Sequence, residues 1–377
     1  MSLTRSLKPI IVKEFRQIRR DLTSLVMLLF LPAVLIVVVG YALNFDVKHI
    51  PLLIFDQSRT PESRAFLEQF RHTEYFVLIS DVTSYKTIED MFLAGDAKAA
   101  VVVPTDFARD IQAGRNTAVQ ILLDGSDANS AGQAVNYAAR MTMAYSTAVI
   151  AQAFQLRGMS MMVPIDFEPR IWYNPELRSS EFLIPGLIGF IIVLTSVIST
   201  SMTVVREKER GTMEQIMVSP LKPFQVILGK TIPYCGISLL ASTIILMLGY
   251  FLFDIPMQGS ILLLYAAILI VTLGGLGQGL LISTVTDSQQ VAFMISVFSS
   301  LLPSMLLSGF VFPIASMPIV LQILSNLAVN KFFLVAVRGI LLKGVGFLDI
   351  WPQFLFMCIF ATAMLGVSIA RMRKRSL

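Results

Sequence analysis

Two short motifs in this chain contain residues that could bind a phosphate. Gly229-Lys230-Thr231 matches the end of a phosphate-binding loop, but the first glycine of that loop would stand at position 224, where the chain has Phe224. The run from Gly274 to Gly279 superficially resembles a glycine-rich nucleotide loop, but it lies within a long apolar stretch, where small residues allow close helix packing. No acidic strand of the kind that accompanies a phosphate loop follows either motif. We therefore expect that this chain does not bind ATP itself.

Three acidic residues come just after strand-like runs, at Asp56, Asp124 and Asp127. Three carboxylates could hold a cation or support hydrolysis, but turn and helix-cap roles are the favoured interpretation at such positions. His49 and His72 are the only histidines, and no Cys/His cluster or Ser/His/Asp spacing accompanies them. We therefore expect no catalytic residue, no metal site and no cofactor site in this chain.

The composition is that of a protein that lies largely in a membrane. Hydrophobic residues make up 55% of the chain, charged residues make up 15%, and the mean hydropathy is +0.72. Soluble domains carry about 25% charged residues. No charged residue occurs from 288 to 330, whereas 46–181 has the composition of a soluble domain. Both cysteines lie in apolar runs, so no disulfide framework is expected.

Six apolar stretches are long enough to cross a bilayer. Residues 313–349 are also apolar, but Pro313, Pro318 and a polar stretch near Lys331 interrupt them, so we expect short helices there. The predicted fold class is an α-helical polytopic membrane protein with six transmembrane helices and an inserted α/β extracytoplasmic domain. The predicted segments are an amphipathic helix at 1–21, spans at 22–45, 182–205, 232–253, 261–285, 291–312 and 350–370, and a basic tail at 371–377.

Residues 46–181 form the predicted extracytoplasmic domain. Short β-like runs alternate with helical ones, which favours an α/β domain with a largely parallel or mixed sheet. The predicted strands are 52–55, 75–79, 99–103 and 119–123. The predicted helices are 61–72, 85–94, 106–114 and 129–157.

The distribution of charge predicts the topology. Fifteen Lys and Arg lie in residues 1–21, 206–230 and 371–375, which an even number of spans places on one side. Lys and Arg resist translocation, so this side, with both termini, is expected to be cytoplasmic. Three cations between residues 331 and 343 fall on the opposite side, and their charge opposes this prediction. Positive charge that flanks spans in this way does not indicate nucleic-acid binding.

The amino-terminal segment predicts a basic amphipathic helix. One face carries the apolar residues Leu7, Ile11, Phe15, Ile18 and Leu22 at helical spacing. The cations mainly around the other side are Lys8, Lys13, Arg16, Arg19 and Arg20. Such a helix is suited to lying in the plane of the lipid headgroups, so membrane lipids are an expected partner.

A charged segment between the second and third spans gives the most informative local pattern. Gly211 permits a sharp turn, and Thr212 with Gln215 three residues later fits a capping box that begins a new helix. Pro220 disfavours helix at the residue before it, so this helix has about two turns. Its apolar face carries Met213, Ile216 and Met217. An interfacial helix that only anchors a loop explains the pattern equally well.

The segment from 205 to 223 reads Val-Arg-Glu-Lys-Glu-Arg-Gly-Thr-Met-Glu-Gln-Ile-Met-Val-Ser-Pro-Leu-Lys-Pro, and Ile-Leu-Gly-Lys follows at 227–230. These residues resemble the coupling-helix region of type-2 ABC transporter permeases. Residues 12–21 resemble the elbow helix of that family, and Pro303 to Phe310 resemble its fifth span. The likeness covers the whole chain. It is greatest to the multidrug-efflux-like branch, which has a large extracytoplasmic domain between its first two spans.

The resemblance implies a subunit that works with cytoplasmic ATP-binding subunits. In this family two permease chains pair, and the coupling helix of each sits in a cleft of an ATPase subunit, which binds ATP and Mg. The resemblance assigns this contact to the cytoplasmic segment 206–222, with the residues Arg206, Glu207, Glu209, Arg210, Gly211, Thr212, Met213, Glu214, Ile216, Pro220 and Lys222. It assigns the elbow helix to Lys13, Glu14, Phe15, Arg16, Arg19 and Arg20. It places 313–349 near the exit and leaves the substrate-binding residues unknown.

The sequence favours the permease subunit of an ABC exporter in a bacterial inner membrane. The cores of the predicted spans contain no ionisable residue, whereas ion-coupled transporters keep such groups within the membrane. The apolar, Met- and Phe-rich membrane surface suggests a hydrophobic or amphipathic substrate such as a drug or lipid, and an ion such as sodium stays open. A membrane-anchored receptor or scaffold with a ligand-binding ectodomain is the alternative function. The second permease could be identical or related, and the resemblance adds a periplasmic adaptor as an optional partner.

Overall fold

The computed structural model describes residues 3–42, 49–156, 172–174, 178–212 and 223–375. The chain divides into two compact units. The larger unit consists of residues 1–44 and 170–377, and the smaller unit consists of residues 45–169.

Two helices of opposite character begin the larger unit. The first, α1, covers Leu3–Arg20 and carries the amino-terminal cations. The second, α2, covers Leu22–Ala42 and contains no charged residue. Asp21 lies between them, and its backbone N–H still bonds to the carbonyl of Gln17 at 3.0 Å. The chain therefore passes from a basic helix to an apolar one within a single residue.

The smaller unit contains a four-stranded sheet and four helices. In chain order its elements are β1 (Ile50–Asp56), α3 (Pro61–Arg71), β2 (Phe76–Asp81), α4 (Tyr85–Ala94), β3 (Ala99–Val103), α5 (Phe107–Gln112), β4 (Gln120–Leu123) and α6 (Ala128–Leu156). The strand order is β2-β1-β3-β4, in which β1 runs parallel to β2 and β3, and β4 runs antiparallel to β3. The sheet is mixed, as the alternation of strands and helices predicts.

Helices cover both faces of this sheet. On one face, Leu52 and Ile54 of β1 pack with Phe66 of α3. On the other face, Leu53 of β1 packs with Ile88 of α4. Successive side chains of a strand point to opposite faces, so a strand that is covered on both sides is apolar throughout. This explains why β1 and β3 read as continuous apolar runs in the sequence.

The three acids that follow strands hold turns and helix starts. The carboxylates of Asp56, Asp124 and Asp127 each accept a hydrogen bond from the backbone N–H of a serine two or three residues later, at 3.0, 2.9 and 3.2 Å respectively. This is the turn and cap role that their positions predict. Within the described parts of the chain, no group of three or more His, Cys, Asp and Glu could hold a metal ion.

The larger unit continues with a bundle of apolar helices. In chain order they are α7 (Ser179–Glu209), α8 (Pro223–Phe253), α9 (Ile261–Val285), α10 (Gln289–Leu306), α11 (Ile319–Leu324), α12 (Val329–Arg338) and α13 (Phe347–Arg375). Among the described residues, α7, α8, α9, α10 and α13 are long and apolar enough to cross a membrane. The apolar part of α2, Leu28–Ala42, is shorter. The chain is a multi-pass membrane protein.

Helices α11 and α12 belong to a sharply bent element. Helical turns cover Ile319–Leu327 and Val329–Lys343, and the two pieces meet at 85°. The bend falls at Ala328, whose backbone is extended (φ −85°, ψ 104°). An element bent in this way is either a broken span or a re-entrant loop, so the described chain has five candidate spans, or six if this pair is one span.

Glycines allow α9 to lie close to both α7 and α13. A Cβ atom at Gly279 would lie 2.4 Å from the carbonyl oxygen of Val197 on α7, and one at Gly275 would lie 2.9 Å from the Cβ of Ser196. On the other side, a Cβ at Gly277 would lie 3.0 Å from the backbone nitrogen of Leu365 on α13. The glycine-rich run therefore serves close helix packing, as its apolar context predicts.

Two helix ends differ from the sequence prediction. Helix α8 begins at Pro223 rather than near residue 232. The charge of Lys230 lowers the local hydropathy, so hydropathy alone does not extend the span through it. In the structure Lys230 is buried and paired within the helix bundle. Helix α10 ends at Leu306 rather than near residue 312, because Gly309 adopts a left-handed backbone conformation (φ 80°) that ends the helical path.

Candidate functional site

The last turn of α7 carries four consecutive charged residues, from Arg206 to Glu209. Successive side chains on an α-helix differ by about 100°, so four in a row point in four directions around the axis. Each of the four meets a different set of neighbours. We call these four residues the charged turn of α7.

Glu207 of the charged turn points into a group of four charges, three of which are buried. Its Oε1 accepts a hydrogen bond from Nζ of Lys13 on α1 at 2.7 Å, and its Oε2 lies 2.6 Å from Nζ of Lys230 on α8 without hydrogen-bond geometry. The Oε1 of Glu14 accepts hydrogen bonds from both lysines, at 3.1 and 3.0 Å. The side chains of Glu14, Glu207 and Lys230 are 0%, 5% and 3% exposed. We call these four residues the Glu207 cluster.

The charges of the Glu207 cluster balance, because it contains two lysines and two glutamates. Removing one ion from water costs several kcal/mol, so a buried charge is tolerated only with close partners of opposite sign. Both lysines contact both carboxylates, and they come from different helices. The cluster therefore fixes α1, the end of α7 and the beginning of α8 relative to one another.

A close approach of α1 to α8 makes this cluster possible. A Cβ atom at Gly229 would lie 2.5 Å from Cγ2 of Ile10, so glycine leaves the space in which α1 packs. The buried stripe of α1 includes Glu14 and Ile18, whereas Phe15 is 48% exposed. Glu14 is tolerated in this buried stripe because its charge is matched by the two lysines.

Arg206 and Glu209 connect the charged turn to the junction of α1 and α2 and to the beginning of α10. The guanidinium of Arg206 donates to Oδ2 of Asp21 at 2.7 Å and to the side-chain oxygen of Gln289 at 3.2 Å. The carboxylate of Glu209 accepts a hydrogen bond from the backbone N–H of Gln289 at 2.7 Å and another from its side-chain amide. A carboxylate at a helix amino terminus satisfies a free backbone donor and is favoured by the helix dipole.

Lys208 connects the charged turn to the end of α9. Its Nζ donates to the carbonyl of Thr286 at 2.9 Å, to the carbonyl of Ser283 and to Oδ1 of Asp287 at 3.2 Å. A cation at a helix carboxyl terminus satisfies carbonyls that have no partner in the helix. The charged turn thus makes polar contacts with α1, α8, the end of α9 and the beginning of α10.

The chain leaves α7 through a glycine turn. Gly211 has a φ of 70°, which glycine adopts without strain. The hydroxyl of Thr212 donates to the carbonyl of Glu207 at 3.1 Å and so holds the end of α7. Arg210 is exposed. The other residues that the resemblance assigns to this site, Met213, Glu214, Ile216, Pro220 and Lys222, lie outside the described residues, as does the capping partner Gln215.

Comparison with known proteins identifies the family. The family model described as ABC-2 family transporter protein matches residues 22–370. The chain belongs to the ABC-2 transporter family. It is 30% identical over 372 residues to the probable multidrug ABC transporter permease YbhS of Escherichia coli strain K12, covering 98% of this chain and 97% of the relative.

Two further relatives also match along nearly their whole length. The chain is 30% identical over 366 residues to the probable multidrug ABC transporter permease YbhR of Escherichia coli strain K12, covering 97% of both chains. It is 25% identical over 367 residues to the inner membrane transport permease YhhJ of the same organism, covering 96% of both chains. This ABC-2 protein is a permease subunit of an ABC exporter, and such permeases work with ATP-binding subunits.

The elbow residues of this ABC-2 permease divide into two groups. Lys13 and Glu14 belong to the Glu207 cluster, whereas Phe15, Arg16, Arg19 and Arg20 are exposed. Partial burial opposes the charge of Lys13, but the hydrogen bond to Glu207 and the nearby charge of Glu14 raise the pKa of Lys13 above its ordinary value. Lys13 therefore stays protonated at neutral pH.

Four residues of this site were not assigned from the sequence. Lys230, Asp21, Gln289 and Asp287 receive the contacts of the charged turn. Each stands at the start or the end of an apolar stretch. A charged or amide residue at the boundary of an apolar stretch is the sequence signal that could have found these residues. This signal does not specify which partner each residue contacts.

Gly229, Lys230 and Thr231 lie inside α8 rather than in a loop. Gly229 packs against Ile10, Lys230 is ion-paired, and the hydroxyl of Thr231 donates to the carbonyl of Ile227 at 2.9 Å. A phosphate-binding loop needs free backbone N–H groups that point at the ligand, and a helix interior has none.

Proposed function

We propose that this ABC-2 permease exports a hydrophobic or amphipathic compound, such as a drug or lipid, and that the charged turn of α7 transmits the movement of its ATPase partner to the membrane helices. The observation that carries the coupling proposal is the Glu207 cluster. Three helices meet in it through buried and paired charges. The names of the relatives YbhS and YbhR, which describe multidrug permeases, support the substrate class.

The coupling proposal follows from the way in which the site is connected. The segment 210–222 continues directly from the charged turn, so a displacement of this segment pulls on the last turn of α7. Separation of Glu207 from Lys13 or Lys230 would leave buried charges unpaired, which costs several kcal/mol. The three helices therefore move together more readily than they move apart. Exposed Arg210 is the first residue that a partner would meet in this segment.

Orientation and assembly are part of the same proposal. The end of the bundle that contains the Glu207 cluster faces the cytoplasm, with both chain termini, and the smaller unit is an extracytoplasmic domain. The excess of Lys and Arg near this end supports the orientation. ATP and Mg are bound by the partner ATPase, and a second permease chain completes the pathway. A bacterial inner membrane and a periplasmic adaptor complete the proposed setting.

The interior of the spans supports export driven from outside the bilayer. Neither α9 nor α10 contains a charged residue. Lys230, which lies within the first turns of α8, is neutralised by the Glu207 cluster. An ion-coupled transporter keeps titratable groups near the middle of the membrane for its coupling ion. An external source of energy such as ATP hydrolysis needs no such group.

Capture of the ATP-binding subunit from native membranes tests the coupling proposal. The variant Arg210→Glu reverses an exposed charge at the start of the coupling segment, and Lys8→Glu reverses an exposed charge on α1 away from it. We expect the ATP-binding subunit to co-purify with the wild type and Lys8→Glu, and to be reduced with Arg210→Glu. ATP-dependent accumulation of an amphipathic dye in inverted vesicles is expected to fall in parallel.

Two results would contradict this proposal. If no ATP-binding subunit co-purifies with the intact wild-type chain, the proposal of coupling through this segment is wrong. A membrane-anchored receptor or scaffold with a ligand-binding ectodomain is then the favoured function. If the subunit binds but no hydrophobic or amphipathic compound stimulates ATP hydrolysis in the reconstituted complex, the proposed substrate class is wrong.

A further inference from the structure

An apolar slot opens beside the Glu207 cluster, where α1, α2, α7, α8 and α10 meet. Its volume is about 160 Å³. Apolar side chains from four of these helices line it, among them Ile18, Leu28, Ile198, Met202 and Phe293. We call it the elbow slot. It lies within the larger unit and opens toward the charged turn of α7.

Three hydroxyl side chains in the walls of the elbow slot bond to their own helix. Thr195 donates to the carbonyl of Ile191 at 2.7 Å, Ser199 to the carbonyl of Ser196 at 3.0 Å and Thr203 to the carbonyl of Ser199 at 2.8 Å. Hydroxyls that bond to their own helix present mainly carbon to the cavity. Apolar cavities of this kind stay dry and accept hydrocarbon. The polar groups of the slot, Gln17, Asp21 and Arg206, lie at its mouth.

A broad basic depression adjoins this mouth. Its volume is about 920 Å³, and it shares Gln17, Asp21 and Arg206 with the slot. Five of the eight residues that line it are cations, namely Lys13, Arg16, Arg20, Arg206 and Arg210, and its one acid is Asp21.

Three of these cations are not neutralised by an ion pair with a described residue. Lys13 is engaged in the Glu207 cluster and Arg206 is paired with Asp21. Arg16, Arg20 and Arg210 make no ion pair with any described residue and are exposed. An unbalanced group of arginines beside a hydrocarbon-lined slot matches a molecule with an anionic head and an aliphatic chain.

We propose that the elbow slot and the basic depression together bind one anionic phospholipid of the bilayer. Its phosphate lies among Arg16, Arg20 and Arg210, and part of one acyl chain enters the slot beside Met202 and Phe293. The lipid then bridges α1 and the charged turn of α7 and stabilises the arrangement of the coupling end. The lipid is proposed as a resident molecule and not as the exported compound. Its binding is measured on the permease chain alone, so failure of this proposal is distinguishable from failure of the proposed function.

The size of the slot favours a lipid chain over a drug-like occupant. Pockets for drug-sized ligands have volumes of about 300–1,000 Å³. A dry cavity of about 150 Å³ holds a molecule the size of benzene. The 160 Å³ of the elbow slot therefore accept several carbons of a chain and are smaller than the pockets that hold drug-sized ligands. A free phosphate would use the basic depression but would leave the slot empty.

Native mass spectrometry of the purified full-length chain, released from phosphatidylcholine nanodiscs that contain phosphatidylglycerol, tests the proposal. We expect one retained phosphatidylglycerol per wild-type chain. Arg16→Gln/Arg20→Gln is expected to weaken this binding roughly thirtyfold, because each cation near an anionic lipid contributes about 1 kcal/mol. The control Lys8→Gln/Arg371→Gln removes two exposed cations that do not line the depression and is expected to bind like the wild type.

A second pair of variants tests the slot. Met202→Trp fills it, and Met294→Trp makes the same change at an exposed position of α10 that does not line it. We expect Met202→Trp alone to lose the lipid, and we expect glycerol phosphate, which has the head but no chain, not to compete. The proposal would be overturned if the arginine pair and the control pair lost phosphatidylglycerol equally, or if the wild-type chain retained phosphatidylcholine as well as phosphatidylglycerol. It would also be overturned if glycerol phosphate competed fully or if Met202→Trp bound phosphatidylglycerol normally.

Discussion

Neighbouring glutamates on the charged turn of α7 have very different environments. Glu207 is 4% exposed and contacts two lysines, whereas Glu209 is exposed and contacts Gln289. The resemblance assigns both to the same contact with the ATPase. In the structure Glu207 serves the internal connection of the helices, and we propose that exposed Arg210 meets the partner instead.

The first prediction concerns the stability contributed by Glu207. Glu207→Gln leaves Lys13 and Lys230 with only the charge of Glu14, so we expect a loss of about 3 kcal/mol, as is usual when one member of a buried pair is removed. Glu207→Gln/Lys230→Met restores the balance of charge, and we expect at least half of the loss to be recovered. The measurement is unfolding of the purified chain in detergent.

The matched control for this prediction is Glu209→Gln, which removes a charge from an exposed position of the same turn. Its expected cost is much smaller than that of Glu207→Gln, because the side chain is exposed and glutamine can still accept the hydrogen bond from the backbone N–H of Gln289. Equal losses in Glu207→Gln and Glu209→Gln, or no recovery in the double variant, would show that the Glu207 cluster does not behave as a balanced set of charges.

Helix α9 illustrates how packing at the level of elements depends on glycine. We predict that Gly279→Ala destabilises the chain by about 2 kcal/mol, because its new methyl group would lie 2.4 Å from the Val197 carbonyl oxygen and two backbones cannot both stay in place. Gly366→Ala on α13 is the control, since a Cβ there meets no atom within 4 Å and alanine favours helix. The measurement is thermal unfolding in detergent. A loss in Gly366→Ala as large as that in Gly279→Ala would contradict this packing account.

The sequence predicts the local elements well and their mutual contacts poorly. The strands of the smaller unit lie within two residues of their predicted positions, because continuous apolar runs such as 99–103 suit a strand buried on both faces. The beginning of α8 could not be predicted from hydropathy, since the charge of Lys230 is cancelled by residues far along the chain. For the same reason the sequence gives no sign that Glu14, which the resemblance assigns to the elbow helix, is fully buried. Long-range pairing of charges leaves no local periodicity.

At the scale of the whole molecule, three cations opposed the predicted topology, and each has a local structural partner. The Nζ of Lys331 donates to the side chain of Asn326 at 2.7 Å. The guanidinium of Arg338 donates to the carbonyl of Phe182 at 2.7 Å and lies 3.9 Å from the centre of its ring. Lys343 lies over the ring of Tyr173 at 5.6 Å. These charges hold parts of the bundle together, so their number says little about which side of the membrane they occupy.

At the scale of the whole molecule, we propose that the Glu207 cluster transmits movement between the ATPase partner and the membrane helices. The most direct measurement is the amount of amphipathic dye transported per ATP hydrolysed, in proteoliposomes that contain the permease and its ATP-binding subunit. Glu207→Gln/Lys230→Met keeps the charge balanced and should still bind the subunit, but we predict that its transport per ATP falls at least about fivefold, the lower range of a coupling free energy between sites. Lys8→Gln, which removes an exposed charge of α1 outside the charged turn, should keep the wild-type ratio. A wild-type ratio in the double variant would contradict the account, because the helices would then be coupled without the charges that join them.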